Sequence, residues 1–339
     1  EIRSVYAGIA GSHIKGFNSH GVIAVKGGEV SPRDIERALD AAKAVAIPLD
    51  REVIHILPQE YIVDDQRGIA DPMGMAGVRL EVKVHIVTGA VTSAQNIVRS
   101  CHKSGLDVSD IVLESLASAK AVLTEEEREI GVALIDLGGG TCDIAIFAND
   151  SIKHTGVLAL GGQNLTNDIA FGLRTPMAAA EKIKIKHGAA IAEMVRPDEY
   201  IEVPSVGGRE PRRLSRQVLA EICEPRMEEI LTLLDQELVR SGLKNMIGAG
   251  VVLTGGTALI QGCQELGEQV FNLPTRIGYP RNVGGLKDMV NSPKFATAMG
   301  LLRFGAEKEG MEQKFRIRSD GNVFNSILSR MKKWFSEIS

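Results

Sequence analysis

The chain has 339 residues, of which 44% are hydrophobic and 24% charged, and its net charge is only -4. This length is enough for two lobes or more, while the small charge and the lack of a long basic stripe argue against a nucleic-acid partner. The four cysteines are scattered without a CxxC pair, which argues against a disulfide framework or a zinc site and indicates a reducing compartment.

The first ninety residues combine short β-rich stretches with one well-marked helix. Ser31 is a typical helix cap and Pro32 a typical first-turn residue, so a helix is predicted to begin there. We therefore expect a compact α+β unit over residues 1–90. The β-rich stretches are 4–9, 22–25, 52–57 and 80–87.

The rest of the chain alternates buried strands with helices, which is typical of an α/β protein. A run of apolar residues at 131–136 predicts a buried strand, and 142–147 its hairpin partner. Residues 173–246 are predicted to be mostly helical, with a loop at 204–211. The other predicted elements are helices at 93–104, 115–123, 258–271 and 293–305, and strands at 111–113 and 249–254.

The last eighteen residues carry an apolar stripe with helical spacing and a basic flank. Such a helix is too short and too charged to span a bilayer but suited to lie in its interface. A core-packing helix is the alternative interpretation, and the polar segment before it favours the membrane. The expected membrane contacts are Phe324, Ile327, Leu328, Met331, Lys332, Lys333, Trp334 and Phe335.

A glycine-rich turn between two apolar strands carries the first chemical motif. Gly138, Gly139 and Gly140 let backbone N–H groups approach an anion, and Thr141 adds a hydroxyl donor. Asp136, at the end of the first strand, is a candidate for holding a magnesium ion through its waters. The motif predicts phosphate binding, although no GKS or GKT follows it as in a Walker loop. A plain glycine-rich hairpin is the other interpretation.

A second turn of this kind follows a buried strand further along the chain. Gly255 and Gly256 precede a helix predicted to open near Thr257, which would bring a ligand to a helix N-terminus. Taken alone, the turn fits a tight strand-to-helix connection equally well. Its presence downstream of the first glycine-rich turn makes the pair more specific.

The two turns together resemble the phosphate and adenosine motifs of the actin, Hsp70 and sugar-kinase ATPase superfamily. Segments 113–119 and 293–302 are similar to the two helices that connect the lobes in that superfamily. The resemblance implies an actin-like fold of two lobes with RNase H-like subdomains, and ATP and Mg²⁺ as cofactors. Any hydrolysis would be slow and would use a water near Glu114, the candidate catalytic residue.

Further residues match the nucleotide side of the second lobe in that superfamily. Gly161, Gly162 and Gln163 resemble its glycine turn, and Glu181 and Lys184 match the pair that flanks the adenosine. By spacing alone, Glu181 and Lys184 would be a solvated surface pair on one helix face.

Within the superfamily the chain resembles the FtsA family of bacterial cell-division proteins over nearly its whole length. The residues that carry this likeness are 58–61, 77–80, 123–131, 183–188, 203–209 and 219–226. The likeness implies these divisions: a family-specific subdomain at 1–90, first-lobe residues at 91–130, second-lobe core at 131–172 and 247–290, an outer subdomain at 173–246, a return helix at 291–306, a flexible linker at 307–321 and the amphipathic helix at 322–339.

The resemblance also implies partners and a location. Members of the family bind the C-terminal tail of the tubulin-like protein FtsZ, polymerise as actins do, help to recruit later division proteins, and attach to anionic lipids on the cytoplasmic face of the inner membrane. Arg212 and Arg226 fall on the positions implied for the FtsZ tail. Taken alone, the basic cluster of Arg209, Arg212, Arg213, Arg216 and Arg226 is typical of a solvated helix edge without a partner.

The chain departs from the family pattern at its start. Nothing like DxGT or ExGT precedes residue 4, so about eighty residues of the first lobe, with one phosphate loop, are expected to be missing from this sequence. The alternatives are three other classes: a sugar-kinase-like phosphotransferase, an Hsp70-type chaperone ATPase and a pilus-assembly actin homologue. The kinase would not need the terminal amphipathic helix, the chaperone would need a β-rich peptide-binding domain after residue 306, and the pilus homologue should lack the helix.

Overall fold

The computed structural model describes residues 2–282, 284 and 290–318. The first part of the chain forms an antiparallel sheet covered by one helix. Ser31 caps this helix as expected: its hydroxyl accepts from the Asp34 N–H, and the Asp34 carboxylate accepts from the Ser31 N–H. The elements are β1 (Ser4–Ile9), β2 (Lys15–Ala24), α1 (Pro32–Lys43), β3 (Arg51–Val63), β4 (Gln66–Ile69) and β5 (Arg79–Ala90).

The antiparallel sheet has the strand order β2-β5-β3-β4. Strand β5 lies at its centre and alternates in sequence, so that Leu80, Val82 and Val84 pack against α1 in a separate core. This is the α+β unit expected from the sequence. Strand β1 lies outside this sheet, because it pairs in parallel with a later strand.

That later strand, β6, lies in residues 91–130, between the first sheet and the second half of the chain. Strands β1 and β6 form a two-stranded parallel sheet, and its last paired residues, Ile9 and Leu113, are buried in one cluster. The elements here are α2 (Val91–Lys103), β6 (Asp107–Leu113), α3 (Glu114–Val122) and α4 (Glu125–Ile130).

The second half of the chain forms a mixed five-stranded sheet with helices around it. Thr124 caps α4 immediately before this sheet begins. The elements are β7 (Val132–Leu137), β8 (Cys142–Ala148), β9 (Ser151–Leu158), α5 (Gly162–Leu173), α6 (Met177–His187), β10 (Tyr200–Val203), β11 (Arg212–Ser215), α7 (Arg216–Arg240), β12 (Val251–Thr254), α8 (Cys263–Phe271), β13 (Thr275–Ile277) and α9 (Ala296–Arg318).

The sheet has the order β13-β12-β7-β8-β9 and is covered on both faces. Its central strands β7 and β8 are buried along their whole length, which explains their unbroken apolar sequence. One face packs against helices α5 to α8, and the other against α3 and α9. Helices α3 and α9 therefore touch the second lobe while they also pack on each other and on β1.

The structure differs from the sequence-based expectations at three places. Strands β10 and β11 form a small hairpin around the loop predicted at 204–211, inside a region expected to be mostly helical. Residues Thr257–Leu259 form a short 3-10 turn, and α8 begins only at Cys263. Helix α9 continues to Arg318, beyond the end predicted at residue 305 and into the segment 307–321 that was expected to be a flexible linker.

The amphipathic helix predicted at 322–339 lies outside the described residues, as do residues 319–321. Among the residues that the structure describes, no helix has both the length and the apolar character needed to cross a membrane.

Candidate functional site

The first glycine turn is the tip of the hairpin between β7 and β8. Cα partners run from Val132 and Phe147 to Leu137 and Cys142, which leaves residues 138–141 as the connection. Gly139 and Gly140 are exposed, and a Cβ atom added to either would meet nothing within 4 Å. The backbone of this tip is therefore open to a ligand.

Carbonyl groups of this turn bind the other two glycine segments. Gly138 O accepts from the Gly162 N–H at 3.0 Å and from the Thr257 hydroxyl at 2.9 Å, and Gly139 O accepts from the Gln163 N–H at 2.8 Å. Segments that are far apart in sequence thus meet at one point, as the sequence suggested.

These contacts also show what the start of α5 does. The Gly161 N–H donates to Asn164 Oδ1 at 3.0 Å, and the N–H groups of Gly162 and Gln163 donate to the first turn. A Cβ atom at Gly161 would lie 2.7 Å from Gly139 O. Residues 161–163 therefore hold the turns together through donors that are already paired inside the protein.

The second turn requires glycine for two reasons. Gly255 has a φ of +89°, and a Cβ atom there would lie 2.4 Å from Asp136 Oδ1. Gly256 is exposed, whereas Thr257 is buried. Because the residues that follow form a 3-10 turn, the predicted α-helix N-terminus at Thr257 is absent, and Thr257 instead acts through its hydroxyl on Gly138.

Asp136 links the sheet to both connecting helices. Its Oδ2 accepts from the Ser118 hydroxyl of α3 at 2.6 Å and from the Thr297 hydroxyl of α9 at 3.2 Å. These two hydroxyl oxygens lie 2.9 Å from each other. Burial raises the pKa of Asp136, while the two hydrogen bonds act in the opposite direction. One carboxylate oxygen of Asp136 is thus already hydrogen-bonded to both connecting helices.

Glu114 is the first residue of α3 and lies beside the β1 strand. A Cβ atom at Gly8 would lie 3.0 Å from both Cγ and Oε1 of Glu114. Burial, with a further contribution from the charge of Asp136, raises the pKa of Glu114. A carboxyl group with a raised pKa is suited to accept a proton from water.

Asp143 was not among the residues predicted from the sequence. It lies on β8 directly opposite Asp136, and it is only 4% exposed. Its Oδ2 accepts from the Thr141 hydroxyl at 3.0 Å, but its Oδ1 is buried without a hydrogen-bond partner among the described residues. Burial, with smaller effects of Asp136 and Glu114, raises the pKa of Asp143 to about 7. Its hairpin position opposite Asp136 could have identified it.

Lys184 on α6 is buried against the start of α5, whereas its ion-pair partner Glu181 is partly exposed. Lys184 is 8% exposed, and its ammonium lies 2.9 Å from Gly162 O, 2.9 Å from Thr166 Oγ1 and 2.7 Å from Glu181 Oε2. An ammonium group has three N–H donors, so these acceptors use all of them. Lys184 therefore supports the start of α5.

The arrangement of carboxylates limits how a metal could bind. Within residues 2–282, 284 and 290–318, no group of three His, Cys, Asp or Glu side chains is placed to hold an ion by itself. Magnesium in proteins commonly keeps several waters and binds one or two carboxylates together with substrate phosphates. The unpaired Oδ1 of Asp143 fits such an ion, and Asp136 faces it across the hairpin.

The two arginines predicted for a partner lie against α5 on the outer part of the second lobe. Arg226 on α7 donates to both carboxylate oxygens of Asp168, at 2.5 and 3.1 Å, and Arg212 on β11 donates to Leu173 O. Phe171 lies between Asp168 and Leu173 in the sequence of α5 and is 89% exposed. The predicted membrane residues 324–335 lie outside the described residues.

Two family models match the chain. The one described as "Cell division protein FtsA" matches residues 133–300, and the one described as "SHS2 domain inserted in FTSA" matches residues 11–88.

Cell division proteins of other bacteria are similar over nearly the whole chain. The FtsA protein of Pseudomonas aeruginosa is 50% identical over 339 residues, covering 98% of this chain and 81% of that protein. The FtsA protein of Neisseria meningitidis is 44% identical and that of Escherichia coli K12 is 41% identical, each with 98% of this chain and 81% of its own length covered.

Solved structures resemble the fold. A PilM–PilN type IV pilus biogenesis complex matches 89% of this chain and 79% of its own with a TM-score of 0.59 at 15% identity. MreB5 of Spiroplasma citri bound to ADP matches 66% of this chain and 68% of its own, with a TM-score of 0.51 at 20% identity. These likenesses show the fold alone and confirm that it is actin-like, while the sequence identities above show that the chain belongs to the FtsA family of bacterial cell division proteins.

Proposed function

We propose that this chain binds ATP with Mg²⁺ at the meeting point of its glycine turns and acts as an actin-like adaptor in cell division. The observation that carries the proposal is the convergence of three distant segments on Gly138, with Gly139 and Gly140 left open beside them. The fold neighbour MreB5 of Spiroplasma citri, which is described as bound to ADP and to AMPPNP, supports a nucleotide as the ligand.

Different residues would contact the phosphates, the adenosine, the metal ion and the attacking water. The amides of Gly139 and Gly140 and the hydroxyl of Thr141 would contact phosphate, and the segments at 161–163 and 255–257 would hold the turn in place. Glu181 and Lys184 would form the side of the pocket next to the adenosine. When bound, Mg²⁺ would offset the charge of the phosphates. Glu114 would orient a water molecule and accept its proton in a slow hydrolysis.

The outer face of α5 is the proposed site for the tail of FtsZ. Phe171 offers an exposed aromatic ring, and Arg226 and Arg212 bind Asp168 and Leu173, which precede and follow Phe171 along α5. Aromatic and arginine side chains are the residues that most often dominate binding energy at interfaces. An acidic tail with an apolar residue would match this surface, and its carboxylates would compete with Asp168 for Arg226.

Membrane attachment is assigned to the helix predicted at 322–339, on the cytoplasmic face of the inner membrane at the division site. One amphipathic helix binds a bilayer reversibly, with each basic group near anionic lipid contributing about 1 kcal/mol. Self-association into a polymer would link several helices and raise their effective concentration at the surface. Nucleotide-dependent assembly would then control both anchoring and the recruitment of later division proteins.

A fluorescent ATP analogue tests the central claim. We expect saturable binding to the parent chain with Mg²⁺, and a loss of about tenfold or more in affinity for Gly140→Val, because the new side chain fills the open tip while leaving the fold intact. Gly27→Val is the matched control, since Gly27 is also exposed and has only one neighbouring atom, at 4.0 Å. Equal affinity of the parent and Gly140→Val, both well folded by circular dichroism, would reject this site.

The partner surface is tested separately with a synthetic FtsZ tail peptide and the variants Phe171→Ala and Arg212→Ala. Both should weaken peptide binding several-fold without changing ATP affinity, whereas Arg33→Ala on the exposed side of α1 should change neither. Unchanged binding in both variants would remove α5 as the docking element.

A further inference from the structure

We propose that a cavity lined by residues of α3, α4 and α9 binds a small zwitterionic molecule, one with a phosphate or carboxylate group and an ammonium group. The cavity has a volume of about 680 Å³, and small-molecule sites in proteins commonly measure roughly 300–1,000 Å³. None of the residues proposed for the nucleotide lines it. The inference therefore goes beyond the proposed function and does not rest on it.

Two arginines of the cavity meet at the end of α3. Arg303 Nη1 donates to Lys120 O at 2.9 Å and to Ala121 O at 3.3 Å. The backbone N–H of Arg281 donates to the same Ala121 O at 2.9 Å. Both arginines line the cavity, so two guanidinium groups are available on neighbouring residues of its wall.

These guanidinium groups have donors left for a ligand. Arg303 Nη2 is buried and has no hydrogen-bond partner among the described residues, and a buried donor without an acceptor is unfavourable. The side chain of Arg281 is exposed. Guanidinium groups bind phosphate and carboxylate groups well, because their N–H donors match the spacing of two oxygens. An oxyanion in the cavity would supply the acceptor that Arg303 lacks.

Other charged residues of the lining are already paired inside the protein. Lys120 forms an ion pair with Glu307, and Arg128 Nε lies 3.2 Å from Asp150 Oδ1. Among the described residues, these pairs leave two arginines and two glutamates of the lining for a ligand. The free charges of the cavity are thus of both signs.

The two glutamates, Glu125 and Glu126, begin α4 and are exposed. The backbone N–H of Glu126, the Thr124 hydroxyl and, more weakly, the charge of Arg281 lower the pKa of Glu126, so this carboxylate is ionised at neutral pH. Carboxylates beside the oxyanion would repel a ligand that carried only negative charge. An ammonium group on the same ligand would pair with them, which is why the lining favours a zwitterion.

A ligand in this cavity would contact both connecting helices close to the point where they pack most tightly. A Cβ atom at Gly300 of α9 would lie 1.7 Å from Ala117 O of α3. Arg303 and Lys120 each follow one of these residues by about one helical turn. The ligand would therefore stabilise the contact between α3 and α9, the helices that together bind Asp136.

Calorimetric titration of the whole chain with O-phosphoethanolamine, which carries both charged groups, tests the site. We expect saturable binding to the parent, and a loss of about tenfold in affinity for Arg281→Ala and for Glu125→Gln. Both residues are exposed, so these variants should fold. Arg67→Ala, at an exposed position on β4, is the matched control and should bind as the parent does. Equal affinity of all four chains would overturn the proposal.

The choice of probe tests the ligand class. β-Alanine replaces the phosphate group by a carboxylate, and the tighter of the two zwitterions identifies the oxyanion that the site prefers. Inorganic phosphate and ethanolamine, each offered alone, should bind about tenfold more weakly than O-phosphoethanolamine. Inorganic phosphate that bound as tightly would overturn the zwitterion class, and the absence of binding by both zwitterions would overturn the site.

A further pair of variants tests the donor and the location. Arg303→Lys keeps a positive charge but lacks Nη2, and it should weaken O-phosphoethanolamine binding about as much as Arg281→Ala does. Gly140→Val, which fills the glycine tip, should leave this binding unchanged, and a loss there would assign the ligand to the glycine turns and overturn the proposal. If the ATP analogue fails to bind the parent, the proposed function fails, and these titrations still decide the cavity.

Thermal unfolding tests the expected effect on the helices. O-phosphoethanolamine should raise the midpoint of the parent above its value in NaCl at matched ionic strength, because a ligand that binds only the folded chain stabilises it. The rise should be much smaller in Arg281→Ala. The same rise in both chains would contradict binding at this cavity.

Discussion

Ser118 donates a 2.6 Å hydrogen bond to Asp136 and thereby joins helix α3 to the end of strand β7. Thr297 of α9 donates to the same carboxylate oxygen, and its hydroxyl lies 2.9 Å from that of Ser118. The two connecting helices and the central strand of the second lobe thus share one buried carboxylate. A movement of α3 or α9 relative to β7 would strain or break these bonds.

Replacing Ser118 tests this joint. Ser118→Ala should lower the free energy of unfolding by about 1.5–3 kcal/mol, because a buried hydrogen bond to a charged group is lost. Thr297→Ser, which keeps the hydroxyl, is the control and should cost clearly less. Urea unfolding followed by circular dichroism measures both. A loss in Ser118→Ala no larger than that in Thr297→Ser would show that the bond to Asp136 adds no stability.

The two glycine turns should respond differently to an added methyl group. Gly255→Ala should be destabilised by about 2–4 kcal/mol or fail to fold, because its φ of +89° is unfavourable and its Cβ would lie 2.5 Å from Leu137 O. Gly139→Ala should change stability by no more than about 0.5 kcal/mol, since its Cβ meets open space. Thermal unfolding of the two variants side by side is the measurement, and similar midpoints would contradict the described packing.

Lys184 is predicted to act mainly through the fold. Lys184→Met should lose about 2–3 kcal/mol of stability, because Gly162 O, Thr166 and Glu181 would lose a buried charged donor. Lys182→Met, on the exposed side of the same helix, should stay within about 0.5 kcal/mol of the parent. Denaturant titration compares the two; equal stability of both variants would mean that the ammonium is not needed at the start of α5.

His85 should make stability depend on pH at the contact between the first sheet and β9. Its Nδ1 lies 2.7 Å from Asn18 Oδ1 and its Nε2 lies 2.9 Å from Thr155 Oγ1, and burial, aided by the charge of His154, lowers its pKa to about 4. The unfolded chain therefore binds more protons than the folded one between about pH 4 and 6.5. This stability is fully present above pH 6.5 and is lost as the pH falls toward 4.

The variant His85→Gln tests that dependence. Between pH 7.5 and 5.5 the parent should lose about 1 kcal/mol more stability than His85→Gln, while His20→Gln, at an exposed position on β2, should follow the parent. Because the pKa of buried His55 is also lowered to about 4, part of the slope should persist in His85→Gln. An unchanged slope would show that His85 is not held neutral by the fold.

Part of this molecule could be predicted from local sequence because local chemistry decides it. The capped helix at Ser31, the buried hairpin of β7 and β8, and the two glycine turns each depend on residues within a few positions of one another. The likeness of spaced motifs then identified the family and the actin-like fold. The predictions of an α-helix from residue 258 and of a mostly helical region at 173–246 were wrong at the 3-10 turn Thr257–Leu259 and at the hairpin of β10 and β11. In such short segments, tertiary packing contributes more free energy than helical propensity.

Only the tertiary structure decided which polar groups are already paired. The sequence shows Glu181 and Lys184 one helical turn apart, but not that Gly162 O and Thr166 occupy the remaining donors of Lys184. Asp136 and Asp143 are both visible in the motif, yet only the approach of α3 and α9 commits one of them and leaves an oxygen of the other without a donor. Burial and hydrogen bonds between distant segments determine whether a side chain is charged and whether its polar atoms are free to bind a ligand. These contacts form only when the chain folds, so they cannot be derived from the order of residues alone.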